Sequence, residues 1–297
     1  MTVSRKTKLW SSLSAAALLG ASTPAAADQD GAMAGHGVSQ GPVMPAPDQV
    51  GEGEGGEGEG GEGEGEGIPG RQSGEAGIDA ERALRDPVVY LIGLEVIRAH
   101  YLAGLAAFDA GETGPAGGMF SHPVGEVYLD LAPVFAELGV NPFGQMMRDT
   151  AALVFDGAEA HRVEASAEQV LKTVHKAAQK APQADMDAGA VHAKVLADLI
   201  ERASLQYRLA LADGPEGDAY LDGFGYYRAA RTHAERHLSS VRQRDEAAAS
   251  AIADALAKLG DGFASVTPPD DFLAQPPVEA GAVLAASSQV MLRAGSL

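Results

Sequence analysis

From Ile78 to the C-terminus, apolar residues recur three and four positions apart, and no segment alternates with the two-residue period of a half-buried strand. This pattern predicts an all-α fold, a mainly antiparallel bundle of seven or eight helices over 78–297. Short connections between long helices favour antiparallel neighbours. Asp86-Pro87 pairs a cap with proline at the first helical position, and Gly111 stops the helix that follows. That helix, Pro87–Ala110, carries Leu91, Leu94, Arg98, Tyr101, Leu105 and Phe108 on one face. His122-Pro123 is read as the start of a second helix ending at Gly139, and Asn141-Pro142 as the start of a third reaching Phe155. Ser166 with Gln169 resembles a capping box for a helix that Pro182 breaks after Ala181. The remaining helices are expected over Ala188–Ala212, Asp218–Arg242, an alanine-rich run to Leu259, and Val278–Arg293.

The first 77 residues are of another kind. Residues 1–27 have the parts of a secretory signal: Arg5, Lys6 and Lys8, an uncharged run from Leu9 to Ala21, and Ala25-Ala26-Ala27 before Asp28. The apolar run is shorter than the ~20 residues that span a bilayer. The expectation is therefore cleavage and export, to the periplasm or beyond, with no membrane insertion afterwards. Residues 28–77 read as a disordered acidic linker, with eleven acids against the single Arg71. Its centre, GEGEGGEGEGGEGEGEG, has no apolar side chain to bury, and its like charges repel.

Composition narrows the chemistry. The formal charge of −19 disfavours nucleic acid and anionic membrane surfaces as partners and leaves cations. With no cysteine, disulfides, thiolate ligands, iron–sulfur clusters and a cysteine nucleophile are all excluded. Any metal must be held by His, Asp, Glu, Tyr or Met.

Three constellations could supply such ligands. On the helix from Asp218, the residues Asp222, Tyr226, Ala229, His233 and His237 form a stripe beside the apolar one. His233 and His237 are one turn apart, the spacing by which a helix offers two imidazoles to one ion. The zincin signature is absent, since Ala234 stands where its Glu would be, which disfavours a hydrolytic zinc protease. The alternative is two solvated histidines on a polar flank. The second constellation is His122 and Glu126, with Met119 upstream and Tyr128 beyond; ordinary helix-dipole stabilisation of Glu126 is the competing explanation. Third, Arg98 lies inside an apolar face and should have a carboxylate partner, for which Glu126 is a candidate. His100 shares a small-residue stripe with Gly93 and Gly104, where it could be a ligand or a buried donor to a carbonyl. His192, near Leu196 and Leu199, reads as a core or boundary residue.

Two stretches resemble exported helical proteins of the imelysin and periplasmic iron-transport type. Tyr220-Leu221-Asp222-Gly223-Phe224-Gly225-Tyr226, preceded by Leu199–Tyr207, is similar to their acid-plus-aromatic helix, and His122–Tyr128 to their histidine–glutamate motif. The imelysin motif is His-x-x-Glu, whereas here the spacing is His-x-x-x-Glu. The resemblance spans about a third of the domain and implies a bundle that binds metal or works with metal-uptake machinery.

These readings converge on one expectation: an exported metal-binding protein in which His122, Glu126, His233 and His237 meet at a shared centre, helped by His100 and Asp222. Iron is the first expectation, then zinc or copper, for capture or delivery. The alternative is a non-catalytic interaction or scaffold protein with an envelope partner and no metal. Nothing in the sequence identifies a catalysed reaction.

Overall fold

The computed structural model of the chain describes residues 77–214 and 218–297. The signal-peptide assignment and the linker through residue 76 lie outside the described residues. Among the described residues every regular element is helical, in the order α1 (Ala80–Ala83), α2 (Pro87–Asp109), α3 (Thr113–Pro123), a π-helical turn (Val124–Tyr128), α4 (Leu129–Glu137), α5 (Gly144–Phe155), α6 (Ala160–Ala178), α7 (Ala188–Asp213), α8 (Ala219–Arg244), α9 (Glu246–Gly262) and α10 (Ala280–Gly295). The result is a helical bundle, as the periodicity predicts.

Local chemistry sets several helix ends. Asp86 accepts from the Val88 N–H ahead of α2, Asp187 from Gly189 and Ala190 ahead of α7, and Asp245 from Ala248 ahead of α9. Gly111 takes a positive φ of 83° at the end of α2, and the chain turns back so that the Glu112 N–H donates to the Ala107 carbonyl.

Helix α2 is the axis of the bundle, packed against α3, α6, α7 and α8. By length and composition it is apolar enough to cross a membrane. Most of it is buried inside the bundle, the position of a core helix. Helices α7 and α8 form the most extensive pairing and run antiparallel, since His192 meets His233 while Gly223 abuts Gln206. α8 also crosses α2 at close range: a Cβ on Gly225 would sit 2.6 Å from the Ala99 carbonyl oxygen. Only glycine lets these two backbones approach so far, and the approach sets Asp222 beside His100.

Two helix boundaries differ from the sequence reading. Ser166 caps nothing; α6 starts at Ala160, and Ser166 Oγ lies 2.7 Å from Thr150 Oγ1. Thr150 donates to the Met146 carbonyl, so Ser166 is the donor to Thr150, tying α6 to α5. His122-Pro123 does not open a helix either. Both close α3, and the chain runs through the π turn straight into α4. Proline has no N–H to donate back into the ladder, and the widened turn that follows is closed by the Leu129 N–H donating to Val124 O. Such π turns recur at functional sites.

Candidate metal centres

The π turn carries Glu126, and it brings that carboxylate to His100 of α2 and His122 of α3. One ligand atom from each of the three residues lies within 4.8 Å of the other two. His100 Nδ1 is 2.9 Å from the Val96 carbonyl oxygen. A carbonyl only accepts, so Nδ1 carries the hydrogen and Nε2 is left to face the group. Around Nε2 stand Glu126 Oε2 at 3.3 Å and Asp222 Oδ1 at 3.7 Å, while His122 Nδ1 is 4.0 Å from Glu126 Oε1. Both readings of His100 thus hold at once: it donates to a carbonyl through one nitrogen and offers the other. Tyr226 closes one side, edge-on to the His100 ring at 6.1 Å.

The electrostatics of this group are tense. Asp222 Oδ1 is buried and accepts no hydrogen bond from the protein; its separation from His100 Nε2 is too long for one. Burial pushes the Asp222 carboxyl up to about 6, against the opposing pull of His100 and His122. Burial also acts to depress His100, but the Glu126 hydrogen bond, the Asp222 charge and the Val96 carbonyl outweigh it, and its pKa stands above the ordinary value. The hydrogen bond from His100 holds Glu126 below the usual carboxylate range in spite of its partial burial. Two carboxylates and an imidazole lone pair converging on one point need a positive charge between them, either a proton or a metal ion.

A second group forms where α7, α8 and α2 meet. His192, His233 and His237 each offer a nitrogen within 4.8 Å of the others. His192 Nδ1 is 3.1 Å from His233 Nε2, and the His192 and His237 rings stack at 3.7 Å. His233 Nδ1 faces Glu95 Oε1 at 3.3 Å, while Glu95 Oε2 accepts from Arg98 Nε at 2.9 Å. Arg98 therefore does have the carboxylate its burial demands, but the partner is Glu95, one turn earlier on the same helix, and not Glu126. Burial and the neighbouring imidazoles lower both His192 and His237 to about 4. Burial alone would raise Glu95, but the His233 hydrogen bond and Arg98 reverse that and lower it.

The single shared centre expected from the sequence is therefore divided. His100, His122, Glu126 and Asp222 belong to the first group, and His233 and His237 to the second. Asp222 and His233 are both on α8, at opposite ends of the stripe, and residues 222 and 233 are separated by roughly 16 Å at ~1.5 Å of rise per residue. Sequence reasoning passed over His192 and Glu95. The signal for His192 is weak, since its partners lie on another helix; Glu95 sits three residues before an Arg on an apolar face, which is the usual i,i+3 solution for a buried charge. Met119 is fully buried in the hydrophobic core. His161 and His175 are exposed on α6, and His36 is outside the described residues.

The His and carboxylate groups are therefore arranged so that a metal ion could be held, and the first combines two imidazoles with two carboxylates. No protein-family model matches the chain, and comparisons with curated proteins and with solved structures return no match.

Proposed function

We propose that this is an exported metal-binding protein whose working centre is His100, His122, Glu126 and Asp222, and that it takes up iron for capture or delivery. One observation carries the reading: Asp222 Oδ1 is buried without a hydrogen bond, beside three other converged ligand groups. An orphaned buried carboxylate oxygen costs stability of order 1–3 kcal/mol or more, and a cation bound there would offset that cost. Two imidazoles with a carboxylate are the donor set of non-haem iron(II) sites, and a second carboxylate adds hard-oxygen character and negative charge. That set suits iron better than copper, and zinc remains the nearest competitor. His100 is oriented for ligation by its Val96 contact, the kind of outer-shell support that metal-binding histidines ordinarily receive. The role agrees with what the resemblance to imelysin-type proteins implies, and export rests on the signal-like residues 1–27.

The test is metal analysis of untagged protein purified from the periplasm of an expressing bacterium. A near-stoichiometric iron content supports the proposal. Protein that arrives without metal and takes up neither iron nor zinc refutes it and favours the envelope-interaction alternative.

A further inference from the structure

We propose that His192, His233 and His237 form a second, separate metal site, an all-nitrogen one for a borderline divalent cation of the zinc type. It does not depend on the reading of the first group, because it stands on other residues and another donor set.

Glu95 stands behind His233. Both of its oxygens are engaged, one by His233 Nδ1 and the other by Arg98 Nε. It is thus committed to orienting His233. Its acceptor oxygen fixes the His233 hydrogen on Nδ1 and leaves Nε2 with its lone pair turned toward His192 and His237. A carboxylate holding the far nitrogen of a ligating imidazole is the usual outer-shell arrangement of zinc sites.

Distances agree with this. Ligands about 2.0–2.1 Å from a tetrahedral ion stand about 3.3 Å from one another, and His192 Nδ1 and His233 Nε2 are 3.1 Å apart. The widest separation in the triad, 4.8 Å at most, must close by no more than about 1.5 Å for ideal tetrahedral geometry. His192 and His237 are only partly buried, and both line an open cavity. In the metal-free protein His192 Nδ1–H donates to His233 Nε2; a bound ion takes the place of that hydrogen, which moves to the His192 Nε2. The balance is one tautomer shift, with no proton lost from a neutral triad.

The fourth position faces an open cavity of about 400 Å³ lined by the three histidines, with Arg98, Arg236 and His175 also on its walls. Three neutral imidazoles with cationic neighbours disfavour hard ions such as calcium or magnesium, which require oxygen. They leave a borderline ion, with water or a small anion completing the shell from the cavity. This separates the triad from the first group, where two of the four donors are carboxylates.

Equilibrium dialysis of metal-stripped full-length protein against Zn²⁺ decides the matter. In a His122→Ala/Glu126→Ala background, one zinc equivalent is expected to remain. Adding His192→Ala and His237→Ala should abolish it. The single His237→Gln change, at a partly exposed position, should weaken zinc by at least about tenfold and serves should the quadruple variant fail to fold. Zinc retained stoichiometrically without His192 and His237, no zinc bound once His122 and Glu126 are gone, or unchanged affinity in His237→Gln would each overturn the site. Loss of the first group shows separately, as a wild-type stoichiometry indifferent to His122 and Glu126.

Discussion

Replacing Asp222 by Asn should make the metal-free protein more stable while destroying its first metal centre. The carboxyl is moved from 3.8 to about 6 by burial, which corresponds to about 3 kcal/mol of penalty on the ionised form at neutral pH. The sign follows from the raised folded-state value. The penalty is absent below the unfolded pKa near 3.8, grows as pH rises toward 6, and is fully present at pH 7. Asn carries no charge, so most of the penalty should be recovered. Urea titration of chelator-treated protein at pH 7 should show a gain of about 1–3 kcal/mol, a midpoint shift of up to about 1 M for a slope near ~3 kcal/mol/M. At pH 4 the difference should shrink toward zero. Saturating metal should reverse the order, because only the wild type gains the first centre's binding contribution, about 4.1 kcal/mol at a thousandfold excess over Kd. A variant less stable than wild type at pH 7 without metal, or equally stabilised at pH 4 and pH 7, would refute the claim that Asp222 is held under electrostatic strain.

Further outcomes follow from other contacts. His192 and His237, both lowered to about 4, contribute stability that is present above their unfolded value of 6.5 and is lost as pH falls through 4. Thermal melts of metal-stripped protein should therefore decline between these pH values, and less so in His192→Ala/His237→Ala. Gly225→Ala places a methyl 2.6 Å from the Ala99 carbonyl oxygen and should cost about 1–3 kcal/mol, with loss of metal at the first centre as α8 is pushed from α2; an unchanged melting temperature would contradict the packing account. Mass spectrometry of the exported protein should find its N-terminus near Asp28, and deletion of residues 28–76 should leave the melting temperature of the helical domain nearly unchanged.

The helical fold was legible because its signals are local. Capping aspartates, Gly111 and apolar spacing lie within a few residues of the structure they set, and the long helices fall close to where those signals put them. The failures occur where a local signal competes with tertiary context. Ser166 and Gln169 imitate a cap, yet Val163 is packed into the core and draws the helix back to Ala160. His-Pro is a normal helix opening, but Phe120 and Met119 are buried on the preceding turn and keep that segment helical through Pro123. The ligand residues themselves stand out by type and spacing. Their sorting into two groups depends on the antiparallel registers of α2, α7 and α8, fixed in part by the missing Cβ of Gly225, and one-dimensional periodicity carries no such register.

The central claim is tested most directly by anaerobic calorimetric titration of iron(II) into metal-stripped wild type and His122→Ala/Glu126→Ala. Both replaced side chains are partly exposed at the rim of the first group, so the bundle should survive their loss, as unchanged circular dichroism would show. The account predicts that the wild type binds one equivalent more than the variant, and that this equivalent weakens as acid protonates the imidazoles. Equal stoichiometry and equal affinity in the two proteins would contradict it.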